Sequence, residues 1–217
     1  MSLRELGSML GKLVATAPAI TPCMLQVRFL QQLHIRSVKR ENSFEAKVHL
    51  DESSRVELNW WIENLKLRQG KPILTTAPDL IIHSDAAKTG GWGAECRGVQ
   101  TGGQWTRYEQ SLHINNLEMI AADLAIRTFT RMFPNMKNIH LKIDNTAALS
   151  YIVKMGGTKQ LDLLRRAKSL WTYLLGRQTT LTVEYLPSKL NVDADYQSRH
   201  VQDRSDWKLK PSVFHQI

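Results

Sequence analysis

Cysteine is scarce, and long apolar runs are missing altogether. The 217 residues include two cysteines, Cys23 and Cys96, set far apart and without the paired spacing of a zinc site or a disulfide framework. That excludes a cysteine-built metal centre and points to a reducing, intracellular setting. No apolar stretch approaches the roughly 18 residues needed to cross a bilayer, so no membrane role is expected. The opening "MSLRELGSML" is broken by charge at once and lacks the apolar block of a signal peptide. Internal repeats and low-complexity tracts are absent, which removes solenoid and linker-like architectures. Gly-x-Ser-x-Gly and catalytic Cys/His spacings are missing too, leaving no serine or cysteine nucleophile to argue for.

Positive charge is what the chain has in excess. Twenty-nine Lys and Arg against 20 Asp and Glu give a formal net charge of +9 and a pI near 9.7. The hydrophobic fraction of 42% and charged fraction of 23% are ordinary for a globular protein. The balance therefore points to a polyanionic partner, nucleic acid or an anionic surface, rather than to disorder.

Patterning divides the chain. Residues 1–75 read as helical. Ser2 and Glu5 have capping-box spacing ahead of an apolar stripe, Leu6, Leu10, Leu13 and Val14. The prolines of "TAPAITP" break it, a second helix is expected to carry Leu25, Phe29, Leu30 and Leu33, and a third follows Asp51 with Leu58, Trp61, Ile62 and Leu65, ending at "RQGKP". From residue 78 to 200 the texture is mixed. "LIIHSD" reads as a strand buried on both faces. "GWGAEC" and "QWTRYE" read as two more strands separated by the turn-rich "RGVQTGGQ". A long helix with Leu117, Ile120, Ala121, Leu124 and Thr128 on one face follows. Next come a strand "NIHLKID", two helices, a strand "TTLTVEYLP" and a short closing helix "NVDADYQSR". Residues 201–217 read as a tail or linker. The order βββαβααβα predicts an α/β domain with a five-stranded mixed sheet flanked by helices. A helical crossover would let the first and fourth strands lie parallel and adjacent.

That topology gives four scattered acids a common destination. Asp85 and Asp144 each end a strand of such a parallel pair. Glu118 sits inside an apolar helical stripe, where a carboxylate suits packing poorly, and Asp195 lies in the closing helix. Carboxylates gathered at close range repel and raise one another's pKa. Divalent cations relieve this, and hard oxygen ligands suit magnesium, with manganese as a substitute. Two such ions about 3.5–4 Å apart can serve phosphodiester hydrolysis.

The motifs resemble those of ribonuclease H, and more closely the ribonuclease H domain of retrotransposon reverse transcriptases. "SDAAKTGGWGA", "INNLEMIAA", "IDNTAALSYI" and "LPSKLNVDADYQSR" are similar to the family's four carboxylate-bearing segments. "LGSMLGKLVATAPAI", "RFLQQL", "ELNWWIENL" and the tail "WKLKPSVFHQI" resemble the thumb and connection region, and the stretch after ribonuclease H, of DIRS-type retroelements. The resemblance implies a ribonuclease H-like fold over residues 78–200 and a thumb/connection-like segment over 1–75, cut from a larger polyprotein. It implies an endonuclease that hydrolyses the RNA strand of RNA–DNA hybrids with two magnesium ions, beside the polymerase domain of the same polyprotein. It further implies Asp85, Glu118, Asp144 and Asp195 as catalytic metal ligands. Asn115, Asn116 and Asn145 would be substrate-facing, Asn115 meeting the 2′-hydroxyl that distinguishes RNA. Either Asn115 or Asn116 could instead cap its helix.

Two positions depart from the family. Tyr185 stands where many members have a His six residues before the motif Asn, and a Tyr does not shuttle protons near neutral pH as His does. Ser188 stands where a Gly often precedes that Asn by three. Lys154, Lys159, Arg165, Arg166 and Lys168 read equally as phosphate contacts or as a solvated face. His83 and His140 read as sheet-face side chains, and Trp60, Trp61, Trp92, Trp105 and Trp171 as core. Two other functions fit the same residues: a DNA nuclease or strand-transfer enzyme of the same fold, and a catalytically silent module that binds hybrid or protein.

Overall fold

Local patterning and the final architecture agree over most of the chain. The structure, a computed structural model, describes residues 1–41, 43–66 and 77–200. The expected helix stop at "RQGKP" and the tail 201–217 lie outside the described residues. The helices are α1 (Leu3–Ala15), α2 (Arg28–Arg40), α3 (Glu52–Asn64), α4 (Arg107–Gln110), α5 (Ile114–Met132), α6 (Thr146–Val153), α7 (Leu161–Gly176) and α8 (Val192–Arg199). The strands β1 (Leu80–Ala86), β2 (Gly91–Cys96), β3 (Val99–Gln104), β4 (Asn138–Ile143) and β5 (Thr180–Tyr185) form one five-stranded sheet in the order β3-β2-β1-β4-β5. The first three strands pair antiparallel, whereas β1, β4 and β5 are parallel. This is a ribonuclease H-like fold. No helix among the described residues is long and apolar enough to cross a membrane.

The main core lies between the sheet and α5, α6 and α7, where Leu80, Ile82, Ile139, Leu141, Met119, Ile126, Phe129 and Leu170 are all buried. Helix α5 is buried on two sides rather than along one stripe. Leu117, Ile120 and Ala121 pack in a second cluster with Ala86 and Trp105. Trp61, Trp105 and Trp171 are buried, and each indole N–H donates to a backbone carbonyl, of Gln26, Ala87 and Ile152 respectively. Trp60 and Trp92 pack against the clusters from partly buried positions.

Several local expectations need correction. β1 is not buried on both faces: Ile81 is 44% exposed and His83 pairs with Glu95 at 2.8 Å. The same polar texture continues where His140 bonds Thr182 and Glu184, so both histidines are sheet-face residues. "QWTRYE" is not a strand. Thr106 and Glu109 cap each other around α4, and β3 is the glycine-bearing "VQTGGQ". The hairpin turn is confined to Arg97 and Gly98, both at positive φ (54° and 78°), as a tight two-residue hairpin loop requires. Leu25 belongs to a 3-10 turn (Cys23–Gln26) before α2, and Ile62 is 80% exposed rather than on the packed stripe of α3.

The N-terminal helices have a core of their own, with Leu3, Leu6, Val27, Leu30 and Trp61 buried. The capping box at Ser2 and Glu5 forms as its spacing predicts, and Asp51, ahead of the third helix, caps α3 by accepting from the Ser54 N–H. Helix α2 meets the α6–α7 loop: Arg28 donates to the Lys154 carbonyl, and Gln32 to that of Thr158 at 3.2 Å. Beneath it the fully buried Glu57 accepts from the backbone N–H groups of Phe29 and Leu30 and from Lys168 Nζ at 2.6 Å. Lys168 also donates to the Leu25 carbonyl, so it is an internal tie rather than a phosphate contact. Removing one partner of a buried pair leaves the other charge uncompensated. Lys168→Met should therefore cost about 3 kcal/mol of unfolding free energy in urea titrations. A loss below about 1 kcal/mol would mean that water reaches Glu57 and replaces the ammonium.

Candidate metal centre

Strand register sets the first two acids side by side. β1 and β4 pair in parallel from Leu80↔Ile139 to His83↔Lys142, so Asp85 and Asp144 each lie two residues beyond the last matched pair. Helix α5 crosses β1 and β2 and delivers Glu118 from its second turn. One carboxylate oxygen from each of Asp85, Glu118 and Asp144 lies within 4.8 Å of the others. Asp85 and Glu118 are both 4% exposed, while Asp144 is half-buried.

Burial and mutual repulsion make this arrangement costly without a counter-charge. Burial first, then Asp85 and Asp144, push the Glu118 carboxyl up to about 9, against a lowering hydrogen bond from the Ala86 backbone. Asp85 is also raised, chiefly by burial and further by Asp144 and Asp195, with the Ser198 hydroxyl opposing. Glu118 Oε2 is buried with no hydrogen-bond partner among the described residues. An orphaned oxygen on a buried carboxylate that lies beside two further acids fits a divalent cation of oxygen preference. Proton linkage makes this measurable. Glu118 titrates near 9 when folded and near its ordinary 4.5 when unfolded, so the folded state binds more protons between those values. Its contribution is full below about pH 4.5 and is lost as pH rises toward 9. Thermal melts in chelator should fall across this window, and magnesium should offset the loss most at the alkaline end. A melt equally pH-dependent with and without magnesium would count against a metal at Glu118.

Hydroxyl groups hold two of the three acids. Ser188 Oγ donates to Asp144 Oδ2 and Ser198 Oγ to Asp85 Oδ2, each at 2.5 Å. Sequence reasoning noted Ser188 only as a departure and passed over Ser198. The serine at the end of the closing motif was the available signal.

Asp195 stands apart from the three. Its Oδ1 accepts from Arg199 Nε at 2.8 Å and forms an ion pair with Nη2 at 2.8 Å, though its charge still raises Asp85. Asp193 accepts from Gln100 Nε2 at 3.0 Å and ties α8 to β3. Asn115 accepts from Asn145 Nδ2 at 3.1 Å, and Asn145 caps α6 through Ala148 N–H. Neither Asn115 nor Asn116 caps α5; His113 does, accepting from the Asn115 N–H. Asn116 is buried with Oδ1 unpartnered among the described residues. Tyr185 is 48% exposed at the end of β5. A groove of about 320 Å³ between α5 and α7, lined by Asp123, Asp162, Arg165 and Arg166 among others, includes none of the four proposed ligands.

No protein-family model and no curated protein matches the chain. Among solved structures, it is similar to ribonuclease H1 from the halophilic archaeon Halobacterium salinarum, at 17% identity and a TM-score of 0.42, over 55% of this chain and 96% of that one. It is also similar to an N-terminal ribonuclease H domain from Mycobacterium tuberculosis, at 14% identity and a TM-score of 0.45, over 55% and 90% of the two chains. A third similarity is to the protease-reverse transcriptase of a foamy virus in complex with RNA/DNA hybrid, at 14% identity and a TM-score of 0.35. It covers 96% of this chain but only 28% of the viral one.

Proposed function

We propose that the chain is the ribonuclease H unit of a retroelement reverse transcriptase, hydrolysing the RNA strand of RNA–DNA hybrids with two magnesium ions. The observation that carries this is the convergence of carboxylate oxygens of Asp85, Glu118 and Asp144 within 4.8 Å, with one buried Glu118 oxygen unpartnered among the described residues. Asp85, Glu118, Asp144 and Asp195 would hold the ions. When bound, the ions supply Lewis acidity that activates water and neutralises the leaving oxygen of a phosphodiester. The chain's own part is to gather the carboxylates before substrate arrives, with β1 and β4 fixing two and α5 the third. Asn115, held by Asn145, would meet the RNA 2′-hydroxyl. The net charge of +9 supports sequence-independent tracking of phosphates. The N-terminal helices would be the end of a DIRS-like thumb and connection, continuous with a polymerase domain in an intracellular setting.

The test is cleavage of labelled hybrid and of duplex DNA by the full chain, in magnesium and in chelator. Hybrid should be cut on its RNA strand only, with no activity in chelator. Equal cutting of duplex DNA would favour a DNA nuclease or strand-transfer enzyme, and absent cutting a silent binding module. The same assay separates the two acids of α8. Asp195→Asn should lower activity by about tenfold or more, as expected for loss of a ligand to the catalytic ion. Asp193→Asn should leave activity nearly intact, because Asp193 contacts Gln100. The reverse order would move the fourth ligand to Asp193.

A further inference from the structure

We propose that Ser198 is a positioning residue that fixes the carboxylate of Asp85 toward the metal centre; this rests on the two-metal reading above. An aspartate at a strand end can rotate its carboxylate, and repulsion from Glu118 and Asp144 favours rotation away from them. One oxygen of Asp85 is held instead by the Ser198 hydroxyl at 2.5 Å, across 113 residues of sequence. Ser198 is fully buried, so water cannot take over its role. The same hydroxyl lies 2.9 Å from the Asp195 carbonyl one turn back. It has a single proton, and the ionised carboxylate is the stronger acceptor.

The rest of α8 is organised to place this hydroxyl. Asn191, two turns before Ser198 on the same helical face, donates from Nδ2 to the Ser84 carbonyl at 3.0 Å. The helix is thereby pinned to two consecutive residues of β1. Between these anchors the buried Ala194 lies against Gly93, where an added Cβ would fall 2.3 Å from the Ala194 carbonyl oxygen and 2.4 Å from Ser198 N. Asn191, Ala194 and Ser198 thus form the inward edge of the closing helix, while Asp195 is half-buried and pairs with Arg199. Ser198 acts through Asp85.

Magnesium binding to the full chain should be measured by calorimetry, with the metal alone, for wild type, Ser198→Ala and Ser198→Thr. The alanine variant should bind magnesium about 10- to 100-fold more weakly, the range seen when the hydrogen-bond partner of a metal ligand is removed. Its kcat at fixed magnesium should fall in parallel while KM for hybrid stays within about twofold. Ser198→Thr keeps the donor and should recover magnesium affinity toward wild type, even if the extra methyl lowers its melting temperature. Wild-type affinity in Ser198→Ala, or equal losses in the alanine and threonine variants, would overturn the positioning role and make Ser198 a packing residue. A wild-type chain that binds magnesium without cutting hybrid would overturn the proposed activity alone. One that binds no magnesium would overturn both.

Discussion

Glu118→Gln should remove hybrid cleavage and at the same time stabilise the metal-free chain. The two effects have one origin. Glu118 is 4% exposed and faces two other carboxylates, so its carboxyl holds its proton up to about 9. Against an ordinary value of 4.5, keeping that proton at pH 7 costs on the order of 3 kcal/mol. Glutamine is neutral, nearly isosteric, and free of that cost. Urea titrations in chelator should show a gain approaching this value, and thermal melts a rise of several degrees. Magnesium should no longer stabilise the variant, since a ligand charge has gone. Loss of a carboxylate that holds a Lewis acid removes several kcal/mol of transition-state stabilisation, so cleavage should fall by about 10²- to 10³-fold. A variant less stable than wild type in chelator would show that Glu118 is ionised and internally compensated. A variant with wild-type activity would remove Glu118 from the metal site.

Gly93→Ala should have the largest effect on the closing helix. The obstacle to an added methyl is backbone, with the Ala194 carbonyl oxygen and the Ser198 nitrogen both closer than 3 Å, so no rotamer change relieves it. Helix α8 must move off β2, and in moving it separates Asn191 from Ser84 and Ser198 from Asp85. Overpacking of this kind costs about 1–3 kcal/mol, and more where backbone must shift, so a loss of about 3 kcal/mol is expected. Magnesium affinity should fall as in Ser198→Ala, coupling a stability defect to a site defect. Gly93→Ala at wild-type stability and affinity would show that α8 has slack against the sheet.

The sequence made much of the fold and the core of the site legible, because both rest on local signals. Apolar runs ending in Asp at 85 and 144 located two strands and their acids together. The capping box at Ser2 was readable because it closes within one helical turn. Glu118 stood out as a charge inside an apolar period, and Asn191 to Arg199 as a motif. The strand order then followed from the helical crossover, since β1 and β4 are separated by α5 and are parallel.

What the sequence misjudged was local composition overruled by distant contacts. Glycines 102 and 103 read as a turn, yet they form the edge strand β3, because the chain reverses in two residues at Arg97 and Gly98. "LIIHSD" read as doubly buried, but Ile81 lies exposed beside the polar side chains of His83 and Glu95. Lys168 read as a surface charge, and its burial against Glu57 depends on a partner 111 residues away.

By itself, then, the sequence determined which carboxylates are available and on which elements they sit, because periodicity, caps and strand ends are set within a few residues of each position. The tertiary structure alone decided how those carboxylates are held. The serine hydroxyls on Asp85 and Asp144 and the seating of α8 on Gly93 all join segments remote in sequence. Such contacts arise only when the sheet register and the approach distance of a helix are fixed, and no local pattern encodes either quantity.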